Sequence, residues 1–223
     1  MGIVVHHLER SRSHRVLWLL EELNVPYELK TYQRHPETML APPELRHIHP
    51  LGKSPIVVDG DDVLAESGAI ISYLVDRHGR ALKPADNTPQ ALQFNYWLHY
   101  AEGSLMPVLL VKLIFTRLEQ APAPFFIKPI MKGISRKVHG AYIDPQTVLH
   151  LDHIESHLQR NKWFAGEMFS AADIQMSYPL LAATDRLDLS ARASIAEFLR
   201  RIKDRPAFKR AIEVGGPVSL SGD

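Results

Sequence analysis

Gly52-Lys53-Ser54-Pro55-Ile56-Val57-Val58, followed by Leu64-Ala65-Glu66-Ser67-Gly68-Ala69-Ile70, decides how this chain folds. Pro55 stands at the mouth of a short β run. Proline has no N–H to offer a sheet ladder, so it stays out of strand interiors. Behind a glycine turn it is a candidate for a cis peptide bond. Ser54, the residue before it, then offers its backbone N–H and C=O to a ligand. Glu66 and Ser67 open an amphipathic stretch and set a carboxylate and a hydroxyl beside the free N–H groups of a helix start. Together these features predict a receptor for a small zwitterionic peptide. The peptide's backbone pairs at Ser54, and its amino acid end docks at Glu66 and Ser67.

Upstream of this stretch, Ile3 to Leu8 reads as a strand. Ser11-Arg12-Ser13 follows, then Val16, Leu17, Leu19, Leu20 and Leu23 at helical spacing, stopped by Asn24 and Pro26. Tyr27 to Tyr32 alternates as a second strand, and residues 33–50 read as a loop with one helical turn. Ile56 to Val58 and Val63 to Ala65 flank Asp59-Gly60-Asp61-Asp62, a hairpin signature. Glu66 to His78 is a helix ending at Gly79. The order is β-α-β, then β-β-α.

Downstream the strand signals vanish. Residues 81–88 form a linker between a unit at 1–80 and one at 89–223. Pro89 to Met106 is predicted helical around Phe94, Trp97 and Leu98, continuing over Leu109 to Arg117 after a kink at Pro107. The segment 121–129 is proline-rich and unassigned. Pro145 to Gln159 is a helix built on Val148, Leu151, Ile154 and Leu158. Ser170-Ala171-Ala172-Asp173 has the form of a helix-start box, with Asp173 in the place of the usual Glu. Ile174 to Leu181 is too apolar for a surface helix and belongs at the centre of the second unit. Ile195 to Lys203 is a last helix, and the tail from Gly215 reads as loose.

Composition narrows the chemistry. The chain has 223 residues and no cysteine. Disulfides, zinc–thiolate sites and a thiol nucleophile of the protein's own are therefore excluded, and any thiol must arrive with a substrate. Lys plus Arg number 26 against 25 for Asp plus Glu, so nothing draws the chain to nucleic acid. The 12 histidines are scattered without metal-ligand spacing, and no metal is expected. No signal peptide or membrane-spanning apolar run is read, which makes the cytoplasm the expected location.

An α/β unit followed by an all-α unit, carrying this proline and this Glu-Ser pair, resembles the soluble glutathione transferases. Leu45-Arg46-His47-Ile48-His49-Pro50-Leu51-Gly52-Lys53-Ser54-Pro55 is similar to that family's approach to its cis-proline. Glu66-Ser67-Gly68-Ala69-Ile70 is similar to a family helix start. Trp163-Phe164-Ala165-Gly166 with Ser170-Ala171-Ala172-Asp173-Ile174 is similar to its buried capping motif. Three motifs in order, over nearly the whole chain, point to a serine-type member of the bacterial and fungal sort. The resemblance implies a thioredoxin-like N-terminal domain that holds glutathione and a helical domain that supplies the acceptor pocket. It also implies a homodimer, with glutathione as co-substrate and no other cofactor.

Position alone favours a helix cap at Ser11, and the resemblance reverses that and makes Ser11 the activating hydroxyl. Ser13 is the rival. An unperturbed thiol has a pKa of about 8.5, so a hydroxyl donor at a helix N-terminus is needed to favour thiolate at neutral pH. Lys53 is matched to the glycine carboxylate of glutathione, Ser54 and Pro55 to its backbone, and Glu66 and Ser67 to its γ-glutamyl end. Most family members carry an apolar residue where Ser54 stands, a departure expected to matter little. Tyr100, Met106, Leu109 and Phe115 are candidates to line the acceptor pocket for a small hydrophobic electrophile, with Phe125 and Phe126 on the far wall. A tyrosine activator is ruled out, since none precedes Tyr27. His6 and His7 are assigned no catalytic role. Arg12 and Arg15 add positive charge near the same helix start, where they can steady a thiolate, but solvent or pairing with Glu21 and Glu22 is the favoured reading. Asp173 is assigned to the fold. The expected activity is conjugation of glutathione to electrophiles. Reduction of organic hydroperoxides and a non-catalytic interaction module are the alternatives.

Overall fold

The computed structural model describes residues 2–184, 187 and 189–218. Strand β1 (Ile3–Leu8) is flanked by β2 (Tyr27–Tyr32), running parallel, and β3 (Ile56–Asp59), running antiparallel; β4 (Asp62–Ala65) closes the order β2-β1-β3-β4. The hairpin β3–β4 turns over Gly60 and Asp61, and Gly60 holds φ at +64°, where a glycine avoids Cβ strain. Helix α1 (His14–Leu23) joins the two parallel strands and ends at Asn24 in a left-handed conformation (φ 51°). Helix α2 (Ser67–His78) follows the hairpin. The N-terminal unit is thus β-α-β then β-β-α, thioredoxin-like, and an all-helical unit follows it.

Helices α3 (Pro89–Tyr100) and α4 (Met106–Gln120) form one rod, joined by a π turn over Ala101–Leu105. A second rod joins α5 (Lys128–Val138) to α6 (Asp144–Arg160) through a π turn over His139–Ile143. Each π turn ends two residues before a proline, Pro107 or Pro145. Proline lacks an N–H, and its ring crowds the carbonyl one turn back, so widening the helix just upstream relieves the clash. The kink expected at Pro107 is this turn. The first rod, residues 89–120, is long and apolar enough by length and composition to cross a membrane, contrary to the sequence expectation. Much of that apolarity serves the core, where Phe94, Trp97, Leu98, Leu105 and Leu109 are buried.

Helix α7 (Ala171–Thr184) runs through the centre and is buried on nearly every face. Asp173 Oδ1 accepts the Phe164 N–H at 2.8 Å, and Oδ2 accepts the Ser170 N–H at 2.8 Å and its hydroxyl at 3.0 Å. Burial pushes the Asp173 carboxyl up to about 7 against these donors, which hold it down.

Helices α8 (Ala193–Asp204) and α9 (Pro206–Gly215) complete the chain. Helix α9 lies on α1: Phe208 meets Trp18 edge-on at 5.0 Å, Arg205 grips Glu22, and Arg210 binds Glu21.

Three sequence expectations give way here. Helices α5 and α9 were not foreseen. Val148 faces solvent, so α6 packs through Leu151, Ile154 and Leu158. The tail is anchored at least through Val218, which is buried, as is Gly215; residues 219–223 lie outside the described part.

Candidate functional site

The C-terminal ends of β1 and the approach to β3 meet the starts of α1 and α2 around one cavity of about 370 Å³. Ser11, Lys53, Ser54, Pro55, Glu66 and Ser67 all line it. Six positions spread over more than fifty residues of sequence are therefore gathered at one place, because antiparallel pairing sets the end of β1 beside the start of β3.

The Ser54–Pro55 peptide is cis. The Ser54 side chain has a job that the sequence did not disclose. Its hydroxyl donates to the His6 carbonyl at 3.0 Å and accepts the Leu8 N–H at 3.1 Å. It thus takes over two backbone groups of β1 where the β1–β3 ladder stops at the His6–Ile56 pair. Among the described residues the Ser54 backbone N–H and C=O have no protein partner, which leaves them free for an extended peptide.

Glu66 adopts φ 70° and ψ 119°, a region few residues with a Cβ occupy. Such strain amounts to about 1–3 kcal/mol and concentrates at ligand sites. Ser67, next in line, accepts a hydrogen bond from Arg15 Nη2 at 3.0 Å, so its own hydrogen is free to point elsewhere.

Arg15 overturns its sequence assignment. It is fully buried, and Glu21 and Glu22 are engaged by α9 and the residue before it. Its guanidinium binds Glu102 at 2.6 Å, Ser67 at 3.0 Å and the Gln175 carbonyl at 3.0 Å. That carbonyl lacks its helical donor because Pro179 stands four residues on in α7. A proline in the central helix thus frees the acceptor that anchors Arg15 behind the α2 start. Burial lowers the Arg15 pKa from its ordinary value, and Glu102 opposes this. Arg12, half in solvent, pairs with the other Glu102 oxygen at 3.0 Å. Glu102 sits in the π turn and reaches into the cavity from the helical unit. A lone acidic residue in an apolar helix was the available signal for it.

Ser11 reaches the cavity, whereas Ser13 is fully buried behind it and does not line it. The two hydroxyls are 2.8 Å apart, and Ser11 Oγ also accepts the Ser13 N–H at 3.2 Å. Neither side chain caps α1 in the usual way: Ser13 holds the cap position without a side-chain cap bond.

Tyr100 and Met106 are corrections. Tyr100 is turned to the α6 side, where its hydroxyl meets His150, and it borders a different surface depression near Leu92 and His99. Met106 is packed into the core, as is Leu109. The helical rod presents Glu102 to the cavity, and the residues at these offsets rotate away. Phe125 and Phe126 are exposed and do not line the cavity. Beside Ser11 its wall is instead formed by Leu8, Arg12, Arg34, Met39, Leu40 and Tyr178.

Residues 1–76 match the family model for the glutathione S-transferase N-terminal domain. Over 213 residues, 95% of the chain, the sequence is 41% identical to Glutathione S-transferase 3 of Schizosaccharomyces pombe and covers 87% of that protein. The chain belongs to the glutathione S-transferase family. It is also 37% identical over 193 residues to Glutathione S-transferase 1 of Saccharomyces cerevisiae, covering 82% of each. A crystal structure of a glutathione S-transferase from Actinobacillus pleuropneumoniae superposes with a TM-score of 0.80 at 34% identity, over 96% of this chain and 92% of that one. This family member keeps the thioredoxin-like and helical units in the order its sequence indicated. Among its described residues no cluster of three or more His, Asp or Glu side chains is disposed to hold a metal ion.

Proposed function

We propose that this protein binds glutathione in the cavity where the end of β1 meets the start of β3, stabilises its thiolate with Ser11, and transfers it to a small electrophile. The observation that carries this reading is the convergence of Ser11, the free Ser54 backbone, Glu66 and Ser67 on one cavity. The peptide backbone of glutathione pairs with Ser54. Its γ-glutamyl ammonium meets Glu66, its carboxylate meets Ser67 and the free N–H groups of the α2 start, and Lys53 meets the glycine carboxylate. The sulfur then lies at Ser11, at the N-terminal end of α1, where a hydroxyl and a helix dipole together favour thiolate by roughly 1–3 kcal/mol. Catalysis consists of positioning and electrostatic stabilisation of a substrate nucleophile.

The acceptor is a small, mainly apolar electrophile held by Leu8, Met39, Leu40 and Tyr178. The protein acts in the cytoplasm as a two-fold homodimer; Leu92 and Tyr96 on α3 and Val148 and Leu149 on α6 are exposed apolar side chains that a second copy covers.

The test pairs binding with chemistry. The protein is retained on immobilised glutathione and conjugates an aryl halide. Ser11→Ala raises the pKa of the bound thiol by about one to two units and lowers kcat/KM by roughly 10–100-fold. Turnover of an organic hydroperoxide without conjugation would assign the peroxidase reaction. Failure to bind glutathione would leave an interaction module.

A further inference from the structure

Behind Ser11 a chain of hydrogen bonds runs inward to the last helix. The Gly215 carbonyl at the end of α9 lies 2.8 Å from His7 Nε2. His7 Nδ1 lies 2.7 Å from Ser13 Oγ, and Ser13 Oγ lies 2.8 Å from Ser11 Oγ. The direction of every bond follows from its two ends. A carbonyl only accepts, so His7 Nε2 carries a hydrogen. Burial lowers the His7 pKa from its ordinary 6.5, so the resting ring is neutral and Nδ1 is bare. A bare nitrogen only accepts, so Ser13 spends its one hydrogen on His7; the Leu8 carbonyl, at 3.2 Å, is the more distant competitor. Ser13 then has only lone pairs to offer Ser11, and Ser11 donates to it.

Ser11 in the resting protein therefore points its hydrogen away from the cavity and presents a lone pair to it. In that state it accepts a proton and cannot donate to a sulfur. We propose that His7, acting through Ser13 and Ser11, is the acceptor of the proton that an incoming thiol gives up in this cavity.

This rests on the reading that the glutathione sulfur lies at Ser11. The S–H bond breaks and its proton joins Ser11 Oγ. The former Ser11 hydrogen passes to Ser13, and the former Ser13 hydrogen passes to His7 Nδ1. No electron is transferred to or from any group: thiol and imidazole become thiolate and imidazolium. Each hydroxyl now points outward, and Ser11 donates to the sulfur it has just deprotonated. After the sulfur has reacted, its charge is gone, and the proton returns along the same hydroxyls to water or to the leaving group.

Burial disfavours a charged His7, and two groups oppose it enough to make a transient cation reachable beside a thiolate. The C-terminal end of α9 directs the Gly215 carbonyl at it, and Glu9, just beyond β1, favours its charge. His14, at the start of α1, disfavours its own protonation and that of His7 together, since each would face the other's charge. Gly215 allows the approach: a Cβ there would sit 2.4 Å from Leu17 Cδ1 and 3.3 Å from His7 Cε1. His7 touches no substrate and is a positioning residue.

Nitrogen NMR of the unmutated protein labelled at histidine tests this, with His7 assigned by its loss in His7→Gln. The free protein shows one bare and one protonated His7 nitrogen. Saturation with glutathione protonates both, whereas S-methylglutathione, which has no thiol proton, leaves the ring neutral. Indicator dye near neutral pH reads markedly less than one proton released per thiolate formed. In His7→Gln the release rises to one, and the thiolate fraction falls about tenfold. A His7 that stays neutral beside a bound thiolate, with a full proton released to solvent, overturns the relay and leaves Ser11 its role. A bound thiolate unaltered by Ser11→Ala overturns both.

Discussion

Replacing Arg15 with methionine tests whether the buried guanidinium joins the two units and sets the glutathione site. The side chain is fully buried, and its three strong partners come from α2, α7 and the π turn before α4. Its removal strands the Gln175 carbonyl, which Pro179 cannot serve. An unsatisfied buried acceptor costs about 1–3 kcal/mol. Glu102 is 30% exposed and keeps Arg12, so it recovers water and adds less. The sum is about 2–4 kcal/mol, which overlaps the range of about 3–5 kcal/mol for a broken buried pair. Pro179→Ala supplies an N–H to that same carbonyl. In the Arg15→Met background it should return about 1 kcal/mol or more, and in the unaltered protein, where the carbonyl is already engaged, much less. Urea denaturation of the four proteins in a double-mutant cycle measures both. A loss under about 1 kcal/mol for Arg15→Met, or an equal effect of Pro179→Ala in both backgrounds, would mean that Arg15 does not serve the Gln175 carbonyl.

Glu66→Gly relieves the positive φ and should raise stability by up to about 1 kcal/mol while weakening glutathione binding at least tenfold; calorimetry and denaturation read the opposite signs together. Ser54→Ala leaves the His6 carbonyl and Leu8 N–H without their partner, and should destabilise by about 1–3 kcal/mol, measured by urea unfolding. His14 is buried with Nε2 unpartnered, and its pKa is lowered to about 3, chiefly by burial. Above pH 6.5 it is neutral folded and unfolded, and contributes no pH dependence. Below 6.5 the unfolded chain takes a proton that the folded chain refuses, so stability falls as pH drops toward 3. Relative to His14→Phe, the parent protein should lose about 2 kcal/mol between pH 7 and pH 5, seen in paired denaturation curves.

The N-terminal unit was legible because its signals are local. Alternation, helical spacing, the Asp59–Asp62 turn and the Glu66-Ser67 start each act within a few residues. Helices α5 and α9 escaped for physical reasons. Ile127 before α5 and Ile130, Met131, Ile134 and Val138 within it do fall at helical spacing, but Pro122, Pro124 and Pro129 broke the pattern at its start, and in the fold Ile130 and Ile134 face solvent. Helix α9 is short and buries mostly small residues, Ala207 and Ala211, around Phe208. Within the site, the sequence could name Ser11, Ser54, Glu66 and Ser67, since they fall in contiguous motifs. It could not place Arg15, Glu102 or His7, whose meaning comes from partners 87 residues away in the case of Arg15 and Glu102, and 208 in the case of His7 and Gly215. Tyr100 and Met106 failed similarly: the rod meets the cavity through Glu102, while Tyr100 turns to α6 and Met106 packs in the core.

A crystal of the protein soaked with glutathione shows where the sulfur sits. The tripeptide should lie extended with its backbone on Ser54, its γ-glutamyl end at Glu66 and Ser67, and its sulfur within about 3.5 Å of Ser11 Oγ. Glutathione bound elsewhere, or bound here with its sulfur turned from Ser11 toward another donor, would contradict that placement.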